Sequence, residues 1–185
     1  MTIKLTQTKR TDERLLERMR NHYSKPKGFV GRNICYSIEC DGVYYGHIVF
    51  GSATLHLQGR HEYLGTDRSK LNNIVNNIFY NVSKVDGKYP QRNFTSKVLT
   101  KALNVVSKEW EDKYGDMVLG FETLVETSEV RTGDLYFKAG FVKVGDTKGY
   151  TCKRVGGEGT DGWSGKRVWD VENLRPKIVL CKRIK

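Results

Sequence analysis

The side chains best suited to chemistry cluster between Met117 and Tyr150 and at His22-Tyr23. Glu122 and Glu126 stand on an apolar, β-branched run, and a carboxylate placed within reach of a ligand can take a proton from it. Asp134 and Tyr136 follow on a short helical segment closed by Gly140. They are two residues apart, so at most one of them points into a cleft. Asp134 is equally well explained as a first-turn acid favoured by the helix dipole. His22-Tyr23 has three readings: a helix end with Tyr23 buried, a base-stacking pair, or part of a metal site with Glu122 or Glu126. Mixed oxygen and nitrogen ligands of that kind suit iron or another divalent metal better than structural zinc. His47, His56 and His61 have no carboxylate at diagnostic spacing.

These residues need a frame. Residues 117–126 read as a central strand covered on both faces. A polar loop, the short helix at 134–139 and a second strand from Phe141 follow. The polar groups then gather at a strand's carboxyl end, where open sheets bind ligands.

Upstream, Ile3–Thr6 alternates as an edge strand. Thr11 is a candidate N-cap for a helix that ends near His22-Tyr23-Ser24. Asn33–Cys40, the Asp41-Gly42 turn and Val43–Ala53 form a hairpin, and its glycines suggest a bulge or a close backbone approach. Residues 54–66 are irregular. Leu71, Ile74, Val75 and Ile78 recur at helical spacing, which predicts a helix over 67–79 with Asn72, Asn73, Asn76 and Asn77 on it. A strand at 80–85 follows. The longest helix starts at Thr95, with an apolar stripe from Val98 to Trp110. The loop opening it, with Arg92, Asn93 and Ser96, is a ready anion site. A final strand runs to Arg183. The result is one α+β domain with a mixed, mostly antiparallel central sheet flanked by helices, spanning all 185 residues.

The formal net charge is +11. Residues 1–32 carry nine Lys/Arg against three acids and residues 143–185 carry eleven against five, whereas the middle is nearly neutral. Segregated positive charge suits a polyanion, because neutralised phosphates release counterions. Lys25, Lys27, Arg32, Lys148, Lys153, Arg154, Lys166 and Arg167, with Trp163 as a stacking surface, are the candidate contacts to nucleic acid. The alternative is a solvated basic face, with the tryptophans plugging the core. No apolar run is long enough to span a bilayer. The four scattered cysteines fit reduced thiols in a cytoplasmic compartment.

The element order resembles the GNAT superfamily of N-acyltransferases. That likeness implies that Thr95–Lys113 is the cofactor helix and that Tyr136 protonates a leaving thiolate, with acetyl-coenzyme A or another small acyl donor as cofactor. The family's Arg/Gln-x-x-Gly-x-Gly/Ala turn departs here to Gln91-Arg92-Asn93-Phe94-Thr95-Ser96, which has no glycine. Six short stretches are similar to the Mom proteins, phage enzymes that modify adenine in DNA. They are His22-Tyr23-Ser24, Gly31-Arg32, Asn93–Leu99, Glu122–Glu126, Arg131–Tyr136 and Thr147–Tyr150. This resemblance implies transfer of a carbamoylmethyl-type (methylcarbamoyl) group to N6 of a flipped adenine in double-stranded DNA, which shields it from host restriction. Glu126 would then accept the N6 proton or orient the amine. The sheet and tyrosine-bearing helix also look similar to a subunit of some bacterial anti-phage systems.

Overall fold

A seven-stranded sheet in the order β1-β2-β3-β4-β5-β9-β6 forms the body of the computed structural model. The structure describes every residue except Lys25, His56, Gln58, Val130, 156–165, Asn173 and Lys185; residues 151–155, 166, 167 and 170 are described by backbone alone.

β1 (Ile3–Thr8) is an edge strand against β2 (Asn33–Cys40). Helix α1 (Glu13–Arg20) is capped by Asp12 rather than by Thr11, with the Asp12 carboxylate accepting from the Leu15 amide at 3.1 Å. β2 and β3 (Val43–Ser52) form the expected hairpin. Asp41 and Gly42, at φ 48° and 82°, supply the two left-handed positions that a two-residue turn of this hand requires. Gly46 is the expected close approach, since a Cβ there would lie 1.9 Å from the Asn81 carbonyl oxygen.

The segment 67–79 is not a helix. It is a 3-10 turn (Arg68–Asn73) that runs into strand β4 (Ile74–Val82). The helical spacing of its apolar residues has another cause. β4 is central and covered on both faces, and a bulge between the Phe50–Asn77 and Val49–Phe79 pairs shifts its phase at Ile78. Asn76 and Asn77 are buried in it and hydrogen-bonded to other strands and loops. The irregular 54–66 segment contains a short helix, α2 (Arg60–Leu64).

Helix α3 (Phe94–Tyr114) buries Phe94, Val98, Leu99, Ala102, Leu103, Val106 and Trp110 against one sheet face. Each large side chain there contributes about 2 kcal/mol. β5 (Gly120–Glu126) is the expected central strand; α4 (Asp134–Lys138) and β6 (Val142–Thr147) follow it. β7 (Thr151–Val155) and β8 (Lys166–Asp170) form a separate two-stranded hairpin. β9 (Lys177–Arg183) then enters the main sheet between β5 and β6, antiparallel to both.

The face opposite α3 carries α1, whose Leu15 and Met19 pack with Cys35, Val49 and Phe79. Beside it Leu57, Val179 and Cys181 form a smaller cluster near α2. Cys35, Cys40 and Cys181 are free thiols. Among the described residues no helix is long and apolar enough to cross a membrane.

Candidate active site between two parting strands

β4 and β5 form the parallel pair of the sheet, and their pairing covers three positions, ending at Asn76–Glu122. Both strands continue past that point, β4 to Val82 and β5 to Glu126. Their carboxyl ends therefore separate, and a cavity of about 450 Å³ lies between them. Asn77–Tyr80 line one wall and Thr123–Glu126 the other; His22–Ser24, Arg131–Tyr136 and Lys177 complete it. The last bond across the gap is from the Thr123 hydroxyl to the Asn77 main-chain oxygen, at 3.0 Å.

Tyr136 enters from the α3 side. Gly133, at φ 85°, precedes α4 and turns the chain tightly, so that the Tyr136 amide bonds back to the Gly133 carbonyl at 2.8 Å. Tyr136 is buried, its ring edge-on to Phe141. Its hydroxyl donates to Asn77 Oδ1 at 2.8 Å. Burial pushes its pKa well up, so the phenol holds its proton throughout the neutral range. The apolar spacing puts Asn77 on a helix, and only the three-dimensional pairing reveals it as Tyr136's partner.

His22 and Tyr23 enter from the opposite face, just after α1. Ser24 contacts His22 Nδ1 with its hydroxyl at 2.7 Å and donates its amide there at 3.3 Å, which makes Nδ1 an acceptor. Burial and then the Arg131 charge lower the His22 pKa, favouring the neutral ring. The Tyr23 ring lies 4.2 Å from the His22 ring, and the Arg131 guanidinium lies 4.2 Å from its centroid. Both neighbours touch the ring, yet Tyr23 keeps 39% of its surface exposed, so it is not a buried helix end. Glu126 sits beside them, 3.9 Å from Arg131 and 3.5 Å from Arg175. With Lys177 on the cavity wall, cations outnumber acids at this mouth.

The structure thus brings Tyr136, Glu126, His22 and Tyr23 to one cavity and puts Asp134, exposed, on its rim. Glu122 is different. Fully buried, it binds Arg60 at 2.6 Å and the Thr54 amide at 2.6 Å, away from the cavity wall. Both carboxylate oxygens are engaged, so a His22–Glu122 metal site does not form. No cluster of three potential ligands occurs among the described residues, and iron has no support here.

At the start of α3, Asn93 takes φ 57°, the left-handed conformation in which a glycine would otherwise be expected. The positions at which the family's turn has glycine are Phe94 and Ser96, both buried, so the turn here differs from that pattern. Asn93 makes no side-chain cap, and Arg92 and Asn93 are exposed; the Phe94 amide bonds to Gln91 O at 3.3 Å, which leaves the Thr95 and Ser96 amides for an anion. Ser96 is buried and donates to the Asn93 carbonyl at 3.0 Å, so it shapes the turn. Tyr80, on the cavity wall, donates to Thr95 O at 2.7 Å and ties this turn to the cavity.

The candidate nucleic-acid contacts divide. Lys27 and Lys148 are exposed. Arg32 pairs with Asp116 and packs over Tyr114, at the start of β5 and so at the opposite end of that strand from the cavity; it belongs to the scaffold. Lys153, Arg154, Lys166 and Arg167 lie on β7 and β8, with Arg154 opposite Arg167. Lys25 and Trp163 lie outside the described residues.

This sheet, with its parting strands and long helix, is the GNAT acetyltransferase fold. It is shared with a Bacillus subtilis acetyltransferase in complex with CoA (TM-score 0.59, 12% identity, all of both chains covered). An Elizabethkingia anophelis GNAT family acetyltransferase with acetyl-CoA bound gives TM-score 0.54 at 12% identity over 98% of each chain. A GNAT family acetyltransferase from Streptococcus pneumoniae gives 0.51 at 14% identity over 99% of this chain and 100% of that one. A family model described as Druantia protein DruA matches residues 1–150, and the chain belongs to that DruA family. No curated protein matches it.

Proposed function

We propose that this protein is an N-acyltransferase-type enzyme that modifies an amine on a nucleic acid, with N6 of a flipped adenine in double-stranded DNA as acceptor. The observation that carries the reading is the cavity between β4 and β5, with a protonated phenol on one side and a carboxylate among cations on the other. The basic ends of the chain supply charge for a phosphate backbone. Acyl transfer to N6 gives an N6-amide of adenine, the product this reading expects; the Mom-like carbamoylmethyl unit joins N6 through a methylene carbon and needs a different donor.

The turn at Arg92-Asn93 and the adjoining cavity fit an acyl-coenzyme A; the Bacillus subtilis fold relative is in complex with CoA and the Elizabethkingia anophelis one has acetyl-CoA bound. Such a donor would supply an acyl group activated as a thioester. The protein's own groups do the rest. Glu126, held between Arg131 and Arg175, takes a proton from the acceptor nitrogen as that nitrogen bonds to the acyl carbon. Tyr136, kept protonated by burial, turns from Asn77 and gives its proton to the departing sulfur. The parted strands hold the reacting groups away from bulk water.

A second reading is acetyl-coenzyme A-dependent acetylation of a protein or small amine. It is favoured by the left-handed Asn93, which turns the chain tightly into the long helix. The third, a non-catalytic nucleic-acid-binding module, rests on charge alone. Incubating the purified protein with duplex DNA and radiolabelled acetyl-coenzyme A separates them. Label on DNA, lost in Tyr136→Phe, supports the first reading; label on polyamines or peptides but never on DNA selects the second; DNA binding without transfer from any acyl donor selects the third.

A further inference from the structure

Asn77 has four hydrogen-bonding positions, and the structure fills three of them in a way that fixes its neighbour. Its Nδ2 donates to Val49 O and to Phe79 O, both at 3.1 Å. Two main-chain carbonyls accept and never donate, so the amide has one admissible orientation, with Oδ1 toward Tyr136. A carbonyl oxygen facing a phenol forces the phenol to donate. The Tyr136 proton is therefore committed to Asn77 in the resting protein, at 2.8 Å. Nearby, Thr123 spends its hydroxyl proton on the Asn77 main-chain oxygen. Both Asn77 and Tyr136 line the cavity, and Asn77 is 3% exposed.

We infer that Asn77 is a specificity-determining positioning residue, which holds the Tyr136 hydroxyl as a hydrogen-bond acceptor toward the cavity so that the site selects a ligand group bearing N–H. The inference rests on the nucleobase reading above and deepens it. An exocyclic amine can donate to the hydroxyl oxygen, whose other neighbour is the Thr123 hydroxyl. A carbonyl oxygen at the same place meets the hydroxyl's lone pair with one of its own, and a buried mismatch of this kind costs about 1–3 kcal/mol, or about five- to 150-fold in affinity. The site then discriminates adenine from hypoxanthine, which carries a carbonyl where adenine carries its amine. Asn77 reaches the ligand only through Tyr136.

Adenosine and inosine are the probes, with dissociation constants measured by calorimetry on the whole protein and on Asn77→Ala and Tyr136→Phe. Thermal melts establish that each variant is folded. The wild type is expected to prefer adenosine by about tenfold. Asn77→Ala frees the hydroxyl to donate, and the preference collapses chiefly through tighter inosine binding, an effect that simple loss of structure would not give. Tyr136→Phe removes the preference even should Asn77→Ala fail to fold. Equal binding of the two nucleosides by the wild type overturns the inference and leaves the nucleobase reading intact. An unchanged preference in folded Asn77→Ala does the same. Binding of neither nucleoside overturns both.

Discussion

Arg60 and Glu122 meet at 2.6 Å with both side chains fully buried. Arg60 also donates to Thr54 O at 2.6 Å and contacts His61 Nε2 at 2.8 Å, so one guanidinium ties residues 54–61 to the central strand. Removing one partner leaves the other charge uncompensated in the core, which costs about 3–5 kcal/mol. Arg60→Ala and Glu122→Ala should each lower stability by that amount in urea denaturation, and the double variant should lose less than the sum. Near-additive losses would show that the pair acts separately.

His47 is buried beneath α1, with Nδ1 against the Tyr44 hydroxyl at 2.7 Å and Nε2 3.5 Å from Asp12. Burial dominates and lowers its pKa to about 4. The unfolded chain binds a proton near pH 6.5, and the folded one binds it only near 4. Stability contributed by the neutral ring is therefore complete above pH 6.5 and is lost as pH falls from 6.5 toward 4. The loss should reach a few kcal/mol, since each pH unit between those two values is worth about 1.4 kcal/mol. His47→Gln should flatten this part of the pH–stability curve, measured by denaturation between about pH 4 and 7.

Tyr136→Phe should leave the fold in place at a cost of about 1–3 kcal/mol, because Asn77 Oδ1 loses its donor. Wild-type stability should also decline above about pH 10, where the unfolded phenol ionises and the buried one does not. That alkaline decline should be smaller in the variant. Transfer to any acceptor should fall about 10²- to 10⁴-fold, the usual scale for a positioned proton donor.

Charge reversal at Arg154 and Arg167, whose backbones pair across β7 and β8, should weaken DNA binding. The slope of log K against log salt should flatten by roughly one for each phosphate that is no longer neutralised. Acetyl-coenzyme A binding should be unchanged. A slope unaltered by both reversals would remove the hairpin from the DNA interface.

Much of the frame is legible in sequence because local chemistry sets it. Asp41-Gly42 specifies its turn, the stripe from Val98 to Trp110 specifies α3, and the β-branched run before Glu126 specifies a covered strand. β4 reads as a helix because burial on both faces and the bulge at Ile78 erase its twofold period, leaving apolar spacing that matches one. Asn77 is hidden with it. The Arg60–Glu122 pair and the placing of β9 between β5 and β6 depend on long-range pairing, which no local pattern carries. Glu122 and Glu126 look equivalent in sequence, but Arg60 claims the first and the cavity mouth holds the second.

The central claim, that Tyr136 and Glu126 act together on an adenine amine in the cleft between β4 and β5, is tested most directly by nucleoside mass spectrometry of DNA from cells expressing the protein. A deoxyadenosine of increased mass that disappears in Tyr136→Phe and in Glu126→Gln is the expected result. Unmodified nucleosides in the presence of abundant, folded wild-type protein would contradict it.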